Sequence, residues 1–176
     1  ALAYGGLRSG LLAVVAIGSW LVLDMWDEAM ETLSLMCISI AISVMIGVLL
    51  GIVASQSDRF EAFVKPILDT MQTLPAFIYL IPAFYLFGLG APGAILATVI
   101  YALPPVVRLT NLGIRQVPEG IDEAATSFGT TRVQLLIKIK IPLAMPAIKL
   151  GVNLTVMMAL ALVVLATFIA APGLGD

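Results

Sequence analysis

The chain has 176 residues, 61% of them hydrophobic and 11% charged, with a mean hydropathy of +1.10. Soluble domains carry about 25% charged residues, so this composition indicates an integral membrane protein. The net charge of −2 gives no basic surface for nucleic acid, and the absence of histidine excludes His-based catalysis and His metal sites.

A spanning helix needs about 20 apolar residues, so the length permits five or so spans with short connections. Leu7 to Leu23 is the first apolar segment, with Arg8 near its start. It is short for a span, which leaves a tilted, interfacial or incomplete helix open. No small-residue cleavage site follows it, so it does not read as a cleavable signal peptide. Asp24, Asp27, Glu28 and Glu31 form an acidic connection, with Trp20 and Trp26 at the polar boundary. Thr32 to Ser55 spans, and contains the single cysteine, Cys37, a small packing residue with no internal disulfide partner. Ser43, Gly47 and Gly51 recur every four residues there, a small-residue stripe for close helix packing.

Gln56 to Lys65 reads as a polar connection, and Pro66 to Leu89 as an irregular spanning helix containing Asp69, Gln72, Thr73, Pro75 and Pro82. Gly88 to Gly93 is a tight turn. Ala94 to Leu112 spans again, broken by Pro104-Pro105, with Arg108 near its end as a cytoplasmic anchor. Pro142 to Ala171 is the last long span, with Lys149 placed to snorkel.

Between the last two spans lies the most polar long interval, Val117 to Lys140, carrying Glu119, Asp122, Glu123, Arg132, Lys138 and Lys140. An insert of that polarity must sit outside the bilayer. Pro118 suits the first helical position, and the acidic residues complement the helix dipole. Ile121, Ala124, Ala125 and Phe128 share one face. Gly129 suits a left-handed helix end, and Thr131 with Gln134 reads as a capping box for a second helix. Glu123-Ala124-Ala125, three residues, Gly129, nine residues, then Ile139-x-Ile141-Pro142 resembles the EAA signature of permease subunits in type I ABC importers, with Ile141 where leucine is usual. The resemblance implies an all-α integral membrane fold, about five transmembrane helices with a cytoplasmic coupling helix. It makes Glu123, Ala124, Ala125 and Gly129 the ATPase-coupling residues, docking in a groove of a partner ATPase.

Placing that helix in the cytoplasm can be checked against charge. Counting spans backward puts Arg59, Lys65, Arg108, Arg115, Arg132, Lys138 and Lys140 at cytoplasmic ends, with Arg8 joining them if the first segment spans. The connections at residues 24–31 and 88–93 and the tail from Ala171 then lie outside, with no Lys or Arg. That is the positive-inside pattern.

A second resemblance is narrower. Residues 68–80 (LDTMQTLPAFIYL), Leu86-Phe87-Gly88, Ala102-Leu103-Pro104-Pro105, Arg108-Leu109-Thr110, Leu112-Gly113-Ile114 and Val117-Pro118 look like the betaine/proline/choline branch of these permeases, and Pro142–Pro146 and Gly151–Asn153 continue the match. It covers residues 32–176 as a permease transmembrane domain and leaves 1–31 as an N-terminal segment. A final span is expected beyond Gly173-Leu174-Gly175, so the sequence is expected to be a fragment of a longer protein. The resemblance implies a multi-pass subunit of the bacterial cytoplasmic (inner) membrane. Its solute would be glycine betaine, or the related proline betaine, proline, choline, carnitine or trimethylamine N-oxide. It also implies an ABC ATPase dimer, a second permease copy, and an extracytoplasmic substrate-binding protein. No phosphate-binding loop occurs, so no cofactor is expected in this chain and ATP with Mg belongs to the partner.

The aromatics Phe77, Tyr79, Phe84, Tyr85, Phe87 and Tyr101 fit either helix packing or a π-lined path for a methylated cation. Tyr79, Phe84, Tyr85 and Tyr101 are the candidate pathway residues. Asp69 and Gln72 either line an inner gate or are simply exposed at the interface. The competing class is an ATP-independent secondary transporter, which would need ionisable residues deep in the spans.

Overall fold

The computed structural model describes residues 2–173, without the side chains of 2–9, 13 and 16; the Arg8 side chain and the Leu174–Asp176 end of the expected Gly-Leu-Gly stretch lie outside that description. The chain is a helical bundle in the order α1 (Leu2–Val22), α2 (Trp26–Gln56), α3 (Asp58–Thr73), a 3₁₀ turn (Ala76–Tyr79), α4 (Leu80–Phe87), α5 (Ala91–Arg115), α6 (Glu119–Ser127), α7 (Arg132–Leu135), a π-helical turn (Leu136–Lys140) and α8 (Ile141–Leu165). Three described helical stretches are long and apolar enough to cross a membrane: Trp26–Gln56, Ala91–Arg115 and Arg132–Ile169. α3 with the Ala76–Phe87 segment makes a fourth if a bend of 112° is counted as one span, and Gly10–Val22 is a shorter apolar helix.

α5 is the centre of the bundle, lying between α2 and α8 and largely buried. In lipid the hydrophobic effect does not draw helices together, so small residues that let backbones approach closely do that work. The stripe on α2 closes on α5. A methyl group at Gly47 would sit 2.3 Å from Val106 Cγ1, and one at Gly51 only 2.7 Å from the Val107 carbonyl oxygen. Ser43 Oγ donates to the Ser39 carbonyl and reaches the Val99 carbonyl at 3.3 Å. α8 packs on the adjoining face of α5, with Gly113 of α5 against Ala144 and Ala147, and Gly151 of α8 against Val106. Thr155 Oγ donates to the Ala102 carbonyl at 2.9 Å. α2 and α5 run parallel and α8 runs against them.

Several expected boundaries move. The acidic connection shortens to residues 23–25, because Asp24 takes a left-handed turn and Asp27 and Glu28 enter the first turn of α2. There they complement the helix dipole. The polar stretch from Gln56 to Lys65 is helical rather than a loop: Ser57 caps α3 through the Phe60 N–H, with Asp58 and Glu61 in the first turn. The expected helix over Pro66–Leu89 breaks at Leu74-Pro75, since the residue before proline is driven to extended backbone. Pro104-Pro105 does not break α5. The pair cannot donate to the Ile100 and Tyr101 carbonyls, but both prolines are buried between neighbouring helices, whose packing holds the axis.

Gly51→Ala should therefore destabilise the protein by about 1–3 kcal/mol, the usual cost of overpacking a tight contact. Gly18→Ala, where the added carbon meets nothing within 4 Å, should not destabilise it and gains up to about 1 kcal/mol from alanine's better fit to a helix interior. Thermal unfolding of the two purified variants checks the difference.

Candidate functional site

The two ends of the bundle differ in charge. At one end lie the 23–25 turn, the 88–90 turn and residues 169–173; the Gly90 N–H donates to the Ile169 carbonyl, and Gly173 packs on Thr32. The three connections contain no Lys or Arg. At the other end, polar side chains tie three helices together. Arg115, at the C-terminus of α5, donates from Nη2 to the last-turn Ala54 carbonyl of α2 at 2.9 Å. The same nitrogen lies 3.1 Å from Glu61, and Nη1 lies 2.7 Å from Asp58. Asn111 completes the set, accepting from Arg115 Nε and donating to Glu61. Asp58 is 89% exposed and contributes little to stability; the half-buried Glu61 and the α2 carbonyl matter more.

α6 projects from this end. Pro118 is its N-cap, one residue outside the expected first helical position, and its carbonyl accepts from the Ile121 N–H at 3.0 Å. Gly129 ends the helix as expected, at φ 79°. The Gly129 N–H bonds to Thr126 and the Thr130 N–H to Ala125, the pair of bonds of a Schellman cap. Thr131 and Gln134 form the expected reciprocal capping box at 3.0 and 3.3 Å. The π-helical turn then leads into α8, with the Ile141 N–H donating to the Leu136 carbonyl five residues back. Pro142 explains the insertion: its ring opposes the carbonyl four residues before it and offers it no donor. Across this unit the Lys140 ammonium pairs with Asp122 Oδ2 at 2.5 Å, while Asp122 Oδ1 is buried without a partner.

The expected single apolar face of α6 is divided. Ala125 is buried, and Ile121 is half-buried in a cleft it shares with Leu143, Ala144 and Ala147, while Glu123, Ala124 and Phe128 face outward. Thr126 and Ser127 return their hydroxyls to carbonyls of their own helix. Phe128 is 91% exposed, with Val133 and Ile137 also exposed beyond it. Phe128 keeps the helical N–H bond to the Ala124 carbonyl and so stays on the stripe its spacing assigns. It faces outward because neighbouring elements cover only the Ile121 and Ala125 part of that stripe. An exposed apolar cluster beside a polar helix outside the spans is a surface suited to another protein.

The aromatic candidates separate into two places. Tyr79 is buried, donates its hydroxyl to the Met71 carbonyl, and packs on Tyr101 at a centroid distance of 5.7 Å. Tyr101 lines an open cavity of about 600 Å³ between α5 and α8, shared with Gln72, Pro105, Arg108, Met157 and Met158. Phe84 and Tyr85 lie instead in a second open cavity of about 650 Å³ near the charge-poor end, with Phe77, Leu165 and Phe168. Arg108 is not a free anchor: its guanidinium pairs with Asp69 of α3. Among the described residues no cluster of His, Cys, Asp and Glu is arranged to hold a metal ion.

Residues 43–176 match the family described as "Binding-protein-dependent transport system inner membrane component". The chain is 45% identical to the glycine betaine transport system permease protein OpuAB of Bacillus subtilis strain 168, over all of this chain and 63% of that protein. It is 48% identical to the glycine betaine/proline betaine transport system permease protein ProW of Salmonella typhimurium strain LT2, over 94% of this chain and 46% of that protein. It thus spans about half to under two thirds of the length of these curated relatives. Its fold is similar to that of a chain in the inward-facing MetNI methionine ABC transporter, at a TM-score of 0.75 with 22% identity, covering 89% of this chain and 77% of that one.

Lys140→Ala removes the partner of a half-buried carboxylate and should loosen α6 from α8. Amide exchange over residues 119–127 should speed up by about tenfold, the scale of one charge-assisted hydrogen bond, while exchange in the middle of α5 stays as in the parent protein.

Proposed function

Because the chain belongs to the family of binding-protein-dependent transport system inner membrane components, we propose that it is the membrane-spanning permease subunit of an ATP-driven importer for glycine betaine or a related small methylated amine or proline osmolyte. The observation that carries the reading is α6: a capped helix outside the spans, joined to α5 by a short link and to α8 through α7 and the π turn, presenting Glu123, Ala124 and Phe128. The relatives' names support the choice of solute. An extracytoplasmic binding protein delivers the solute, and an ABC ATPase dimer in the cytoplasm binds ATP and Mg.

The mechanism follows from the connections of α6. A force on it passes to α5 through the short 116–118 link, and to α8 through the two caps and the π turn. Both helices are packed against each other, so displacing α6 shifts the α5–α8 contact and the cavity beside it. Ala124 allows the close approach, Glu123 supplies a polar contact to the ATPase, Phe128 fills an apolar pocket on it, and Gly129 holds the turn. One chain of this size encloses half of a path, and a second copy related by a two-fold completes it. Tyr101, backed by Tyr79, faces the path near the middle of the span, with Phe84 and Tyr85 at the outer end.

In proteoliposomes holding the complete assembly, Glu123→Lys should lower ATP-driven betaine uptake at least tenfold while the chain still inserts. Phe128→Ala should release the ATPase during purification. Full uptake with normal ATP hydrolysis in Glu123→Lys would sink the coupling role.

A further inference from the structure

The polar groups of the cavity beside α5 differ from the usual lining of a membrane helix contact. Tyr101, Pro105 and Arg108 lie on one face of α5 at i, i+4 and i+7, and all three border the cavity. At about 1.5 Å of rise per residue, Tyr101 and Arg108 stand about 10 Å apart along the helix axis. Arg108 lies about the same distance from Arg115, hence in the inner part of the span. Its guanidinium is committed on one side only: Nη2 meets Asp69, while Nε is buried without a partner. A buried donor left unmade is costly, and the guanidinium, 38% exposed at the cavity wall, keeps N–H groups that a carboxylate can reach. Asp69 is half exposed and comes from α3, the helix that ends at the Leu74-Pro75 break. It can therefore let go of Arg108 without leaving a buried charge.

We propose that Arg108 reads the carboxylate of a zwitterionic solute, with Asp69 as the resident occupant that the solute displaces. This rests on the importer reading and narrows its substrate class to solutes with both a carboxylate and a quaternary or secondary amine, and it disfavours a bare cation such as choline. Moving inward, the solute meets the face of Tyr101 with its ammonium, then exchanges its carboxylate for Asp69 on Arg108. The released Asp69 carboxylate stands beside the positive end of the solute. Return of Asp69 to Arg108 expels the solute and restores the paired state. A bare cation gains nothing from Arg108 and is repelled by it.

The test is equilibrium binding of labelled glycine betaine, and separately of labelled choline, to the complete permease–ATPase complex without the binding protein. Arg108→Gln should weaken betaine binding about tenfold or more, the scale of one charge-assisted hydrogen bond, and weaken choline binding far less. Asp69→Asn removes the competitor and should tighten betaine binding. The exchanged pair, Asp69→Arg with Arg108→Asp, should not restore betaine binding. A pair that merely clamps α3 to α5 behaves otherwise: both single variants then lose binding or assembly together, the exchanged pair recovers it, and the proposal falls. A wild-type complex that binds and transports choline but not betaine also overturns it, yet leaves the importer reading standing. Absence of ATP-driven uptake of any methylated amine by the complete wild-type assembly overturns the importer reading, and this inference with it.

Discussion

Close approach of backbones is the constraint on which the rest of this structure depends. Inside hydrocarbon, apolar surface gains nothing by leaving lipid for protein, so α5 is held by contacts that larger side chains would prevent. Gly47 and Gly51 meet it from α2, and Gly151 meets it from α8. Hydroxyls fill the remaining polar demand locally or across the contact, as Thr155 does at the Ala102 carbonyl. With two adjoining faces of α5 gripped in this way, its prolines do not interrupt it.

The inner end is organised on a different physical basis. There the groups are near water, and charged side chains join helix ends that packing alone leaves apart. Arg115 gathers the end of α2, the start of α3 and the end of α5 in one guanidinium. Lys140 and Asp122 fasten α6 to the start of α8. The result is a bundle with a rigid middle and an inner end made of discrete, replaceable polar contacts. That distribution suits the proposed function, because an external pull on α6 can be transmitted without unpacking the α2–α5–α8 core.

Much of this was legible in the sequence where the signal is local. The spans at Thr32–Ser55 and Ala94–Leu112, the turn at Gly129 and the Thr131–Gln134 capping box each depend on a few neighbouring residues. The structure extends or confirms each of them. Ser57 with Asp58 and Glu61 is also a local signal, a helix start inside a stretch whose charge density reads as a polar connection. Pro104-Pro105 misled in the opposite direction, since a helix's tolerance of proline is decided by its neighbours. The Arg108–Asp69 pair joins residues 39 apart in the chain, and the Arg115–Asp58 pair residues 57 apart. No periodicity reports such pairings. The exposure of Phe128 was hidden for a related reason: which residues of an apolar stripe are covered depends on what packs against it, and here only Ala125 and part of Ile121 are covered.

The central claim is that this chain turns the work of a partner ATPase into movement of a small methylated solute. It is tested most directly by the ATP hydrolysis rate of the purified, reconstituted complex, with and without glycine betaine and its binding protein. The account predicts an ATPase that co-purifies with the chain, and a rate that rises when betaine-loaded binding protein is added but not when betaine or empty binding protein is added alone. A chain that purifies without an ATPase under mild conditions, or a rate indifferent to loaded binding protein, would contradict it.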